Sequence, residues 1–176
     1  LTMGTKRVGM ARVKSLINEN VNQISRKFRR VIEVNGTREL LASESGASVY
    51  WTKGTSHTVT LPAAEAGLNF KIVIKVSSNN LHKVAAAAGD CFFGKVVVRS
   101  SDNTHDSAIQ EVTYAAAVGT VANFDHLHID GDASTTGSGV GSVIELECID
   151  GIAWRVTADL TTSNGSPATI ATITAS

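Results

Sequence analysis

Residues 125–132 read Asp-His-Leu-His-Ile-Asp-Gly-Asp, the densest grouping of metal-ligating side chains in the chain. On an extended strand His126 and His128 project from one face about 7 Å apart, because the backbone advances about 3.3 Å per residue. Two imidazoles so placed can chelate one ion. The residues that follow complete no site. Asp130 and Asp132 flanking Gly131 reproduce a fragment of a calcium-binding loop, yet the position where that loop needs its closing carboxylate falls on Gly141. A solvated strand face ending in an Asp-Gly turn is the simpler reading, so no metal is expected. The glycines of residues 136–141, Thr-Gly-Ser-Gly-Val-Gly, fit neither the dinucleotide fingerprint nor a phosphate loop, which needs a following Lys-Ser or Lys-Thr. Serine, histidine and aspartate are plentiful, but no Gly-x-Ser-x-Gly elbow places them. The residues therefore argue against an enzyme and for no cofactor.

The elements that carry these residues read as strands. In residues 57–77, Val59 and Leu61 alternate with Thr58 and Thr60. Phe70, Ile72, Ile74 and Val76 then share one face while Lys71, Lys75 and Ser77 share the other. Pro62 ends the first run because it has no N–H to donate, and Gly67 supplies a position where positive φ costs little. The pattern predicts strand, turn, strand, with the two strands paired as a hairpin. Residues 31–34, 48–52, 91–100, 109–114, 124–129, 142–148 and 152–158 also read as strands, and 81–88 is ambiguous. Val96, Val97 and Val98 mark a buried strand, and Asp150-Gly151 is a strong hairpin signal. Residues 100–106 read as an exposed loop. About nine strands at intervals of roughly ten residues predict a mainly β protein, an antiparallel β-sandwich or jelly roll. Cys91 and Cys148 sit among apolar residues far apart in sequence, and are expected to be buried free thiols.

The chain has 176 residues, long enough for one domain with a real core, and a formal net charge of zero that hides a division. Residues 1–30 hold eight bases against one acid, Glu19, a balance of +7, whereas residues 31–176 hold eight bases against fifteen acids, a balance of −7. Residues 5–28 carry the helical pattern: Met10, Ile17, Val21, Ile24 and Phe28 recur at spacings of seven, four, three and four, with Val13 and Leu16 broadening the stripe. The organisation expected is a basic, amphipathic helical arm over residues 1–30 and a β body over residues 31–176. The stripe must be covered, either by the arm's own sheet or by a partner. Lys6, Arg7 and Arg12 with the apolar stripe are the residues expected to meet an acidic surface on another protein or a neighbouring subunit. No apolar run reaches about 18 residues, and the first residues lack the order of a signal peptide, so the chain is expected to be soluble and not exported.

Three segments together resemble a known family. They are Ala-Ser-Glu-Ser-Gly-Ala-Ser-Val-Tyr-Trp over residues 42–51, the strand pair of residues 57–75, and residues 128–156 with their Gly-Ser-Val-Ile-Glu-Leu-Glu and Asp-Gly-Ile-Ala-Trp-Arg-Val runs. The chain resembles the β-structured virion proteins of tailed bacteriophages, of the kind that decorate or cement the capsid. The resemblance implies a homotrimer on the outer capsid surface, bound to the major capsid protein and made in the host cytoplasm, with no membrane and no nucleic acid as partner. A trimeric tail-fibre or spike component that binds a host surface glycan is the alternative. The His-x-His spacing is also similar to the opening of the cupin motif, but where a cupin carries its glutamate this chain has Gly131, Asp132 and Ala133.

Overall fold

The computed structural model describes residues 9–27, 30–77, 81–100, 107–113, 124–129, 139–162 and 171–174. Several sequence readings lie outside that set: Lys6, Arg7, Phe28, most of the loop expected at 100–106, the Asp130-Gly131-Asp132 turn and glycines 137 and 131. The chain divides into two compact units, residues 1–30 and residues 31–176.

Among its described residues the first unit contains one helix, α1 (Met10–Lys27), eighteen residues long. The Gly9 carbonyl accepts from the Arg12 amide at 2.8 Å and from the Val13 amide at 3.3 Å, which starts the helical ladder. No helix among the described residues is long and apolar enough to cross a membrane.

The second unit is mainly β. Its described strands are β1 (Val31–Val34), β2 (Arg38–Glu39), β3 (Ser48–Trp51), β4 (His57–Thr60), β5 (Asn69–Ile74), β6 (His82–Ala85), β7 (Cys91–Ser100), β8 (Ala108–Val112), β9 (His126–Ile129), β10 (Val143–Cys148), β11 (Ala153–Thr162) and β12 (Ala171–Thr174). They form a seven-stranded sheet in the order β1-β3-β5-β10-β11-β7-β8 and a five-stranded sheet in the order β12-β9-β6-β4-β2. The apolar core draws on both, with Trp51, Ile72, Leu146 and Trp154 from the larger sheet and Val59, Val84, Leu127 and Ile129 from the smaller.

Both sheets are mixed, which corrects the expectation of an antiparallel body. From β1 to β6 the chain alternates between sheets, so strands two apart in sequence become neighbours and run parallel: β1 with β3, β3 with β5, β2 with β4, β4 with β6. The expected hairpin of residues 57–77 is accordingly not one, since β4 and β5 belong to different sheets. Its eight-residue connection is far longer than a tight hairpin needs. It is tied at one end to β6, where the Leu61 amide donates to the Ala85 carbonyl at 2.8 Å, and at the other to the end of β10, where the Gly67 amide donates to the Cys148 carbonyl at 2.9 Å. Gly67 does take a positive φ, of 93°. Phe70, Ile72 and Ile74 are buried as their spacing requires, but Val76 lies past the end of β5 and is exposed.

The Asp150-Gly151 hairpin forms as read. β10 and β11 pair antiparallel with Leu146 opposite Val156 and Cys148 opposite Trp154. Asp150 Oδ1 accepts from the amides of Ile152 and Ala153, both at 2.9 Å, closing the turn, and Gly151 adopts φ 79°. The ambiguous stretch 81–88 contains β6, a buried strand between β4 and β9. Among the described residues one acid is buried: Glu44 accepts from Arg38 Nη2 at 2.7 Å and from the Leu41 amide at 3.0 Å, the pairing a buried carboxylate requires.

Candidate functional site

Helix α1 leaves the apolar residues of its first turns exposed. Met10 is 75% exposed and Ile17 55%, and Val13 and Leu16 are exposed with them. Arg12 and Lys14 stand on the same exposed turns. Val21 and Ile24 continue the helix at the spacing of the stripe. A helix whose apolar side faces water at its first three turns gains little from its own propensity, since isolated helices of this length are marginal. It offers exposed apolar area flanked by positive charge.

The His-x-His pair lies on β9 as expected, but the face is half-buried rather than fully wet. The reason is the neighbourhood. β9 is an interior strand, hydrogen-bonded to β6 on one side and β12 on the other, with Lys83 in register with His128. The two rings stand 5.6 Å apart, and His126 Nδ1 sits 2.7 Å from Asp125 Oδ1, so that nitrogen is engaged by a carboxylate. Among the described residues no group of three or more His, Cys, Asp or Glu side chains is placed to hold a metal ion.

Both cysteines are free and buried. Burial, then the negative charges of Asp150 and Asp90, push the Cys91 thiol above its ordinary value, which keeps it protonated and inert at neutral pH.

A second grouping escapes any motif. His57 opens β4 and His82 opens β6, and because the two strands pair in parallel, the residues stand side by side in register. Their ring centroids are 4.4 Å apart, and Trp51 at the end of β3 touches both, at 5.0 Å from His57 edge-on and 4.9 Å from His82. His57 is 5% exposed and His82 0%. The Thr55 carbonyl receives both rings, His57 Nδ1 at 2.8 Å and His82 Nε2 at 3.2 Å. A carbonyl can only accept, so each of those nitrogens carries the proton, which leaves His57 Nε2 and His82 Nδ1 as bare lone pairs. Neither has a hydrogen-bond partner among the described residues, and the same holds for Trp51 Nε1. Burial first, and the neighbouring His57 second, lower the His82 pKa from 6.5 to about 4, with the backbone of Thr55 and Lys53 pulling by less in the other direction. The sequence signalled the burial of each histidine but not their pairing: His57 is in phase with Val59 and His82 with Val84, the dry face of each strand.

Compared with known proteins, the chain matches no family model, no curated protein and no solved structure.

Proposed function

We propose that the chain is a capsid decoration protein of a tailed bacteriophage, a homotrimer that binds the outside of the major capsid protein lattice through its basic arm and strengthens the shell. The observation that carries this reading is the exposed apolar stripe of α1, Met10, Val13, Leu16 and Ile17, set among the basic residues of an arm of balance +7. Such a helix combines burial, which salt does not screen, with positive charge that draws it to an acidic surface. The β body, read as a two-sheet sandwich, is the outward part, and its residues that resemble the virion family lie within it. Three arms on one trimer engage neighbouring capsomers at once, and this multivalency adds avidity without any single tight contact. The protein acts by packing and assigns no group to a reaction.

The test uses the full chain and undecorated shells of the phage that encodes it. Val13→Asp with Ile17→Asp should weaken binding by roughly a hundredfold, the loss of two buried apolar side chains, while the thermal transition of the body stays in place. Raising ionic strength should weaken wild-type binding only in part. Unchanged binding by the double variant would remove the arm as anchor. Copy number separates the alternative: a stoichiometry matching the capsid lattice supports decoration, and the few copies of a tail appendage would support the fibre or spike reading.

A further inference from the structure

We propose that His57, His82 and Trp51 form an acid-released latch between the two sheets, closed while the His82 imidazole is neutral and opened when it takes up a proton. The placement makes it a joint between layers: Trp51 ends β3 in the seven-stranded sheet, and the two histidines open β4 and β6 in the five-stranded sheet. All three side chains are buried, and the loop between β3 and β4 seals them through the Thr55 carbonyl, which holds both rings.

Neutral rings suit this site. Each gives its single N–H to Thr55 and lays its face or edge against Trp51. A proton arriving from solvent adds to His82 Nδ1, which has no hydrogen-bond partner among the described residues. It also places a positive charge in an apolar setting 4.4 Å from the second imidazole. Among the described residues no acid is among the charges that act on His82, and the one charged residue of the loop between β3 and β4 is a base, Lys53. Among the described residues, the ionisable side chains on the packed strands are Tyr50 on β3, Lys83 on β6, and His126 and His128 on β9. Each falls one residue out of phase with the buried face that carries Trp51, His82 and its register partner Ile129. On β2, Arg38 is held by Glu44 and Glu39 pairs in register with Thr60. His57 is the group whose charge acts on His82.

The sign follows from the direction of the shift. A histidine whose folded pKa lies below its unfolded value binds its proton more readily when the site is open. The closed state is therefore fully favoured above about pH 6.5 and loses ground as pH falls toward about 4. One such group changes the opening equilibrium by roughly a hundredfold across that window.

The experiment follows the full chain between pH 7.5 and 4 by amide hydrogen exchange, corrected for intrinsic chemistry, and by ring NMR of the histidines. Opening at residues 57–60 and 82–85 should rise by about a hundredfold on acidification, while the β10–β11 hairpin changes by less. His82→Phe, which fills the site and cannot take a proton, should flatten that rise. An equal rise throughout the body, or an undiminished rise in His82→Phe, would overturn the latch. Should the variant not fold, the wild-type ring decides: His82 neutral at pH 5.5 supports the latch, and titration at the ordinary histidine value sinks it.

Discussion

Within β5, the alternation of side chains sets two adjacent residues on very different footings. Ile72 is fully buried beside Ile144 of β10, and Lys71, with 38% of its side chain exposed, reaches Glu145 at 3.0 Å across the same pair of strands. Truncating Ile72 to alanine removes transfer energy and leaves a cavity, costing about 2 to 5 kcal/mol. Lys71→Ala loses a surface ion pair, a change of about 0.5 kcal/mol or less. Chemical denaturation of the two variants at several protein concentrations checks the order. A larger loss for Lys71→Ala that fades with dilution would place Lys71 in a contact between copies. Gly94 is a residue of another kind. It lies inside β7 with φ 123°, and a Cβ there would meet the Val156 carbonyl oxygen of β11 at 2.2 Å. The neighbour is backbone and cannot swing away. Gly94→Ala should therefore cost about 3 kcal/mol or more in thermal or chemical unfolding, the combined cost of an unfavourable φ and a forced separation of two paired strands.

At the scale of elements, the period of two identified most strands and the face each one buries. Ile144, Leu146 and Cys148 on β10, with Trp154 and Val156 on β11, turn inward as their spacing dictates, while Glu145 and Arg155 face water. Period alone does not name a strand's partner. β4 and β5 look like the arms of a hairpin because Pro62 and Gly67 stand between them, yet β4 lies between parallel β2 and β6, β5 lies between parallel β3 and antiparallel β10, and the link crosses from sheet to sheet. The Asp150-Gly151 turn was legible for the opposite reason: Asp150 closes it with its own side chain, so the geometry is local. The site followed the same division. The stripe of α1 is a local pattern and was readable residue by residue. The His57–His82 pair depends on a parallel register between strands more than twenty residues apart, and no spacing in the sequence encodes it.

For the whole molecule, the proposed attachment makes a prediction about salt, because the arm carries a balance of +7 and the body one of −7. The exposed ion pairs Arg99–Asp159, Lys71–Glu145 and Arg155–Glu147 lie on strands of the seven-stranded sheet and offset each other locally. Arm-dependent attraction should thus respond to salt more than the body's own stability does, because isolated exposed pairs contribute little to folding. Thermal unfolding and shell binding measured over the same salt series would separate the two.

The order β5-β10-β11-β7 has a consequence for the birth of the protein. β5 and β7 leave the ribosome early and lie in one sheet, but they never touch: the β10–β11 hairpin, made tens of residues later, is wedged between them. Until residue 162 has been synthesised, two long strand edges wait unpaired, exposed to any strand that arrives first. The last hairpin is thus a keystone supplied after the arch. A chain ending at residue 138 should be prone to self-association, and a separate peptide spanning residues 139–162 should bind it and restore the body's cooperative melting. Failure of the peptide to bind a dispersed truncated chain would show that the edges rearrange before the keystone comes.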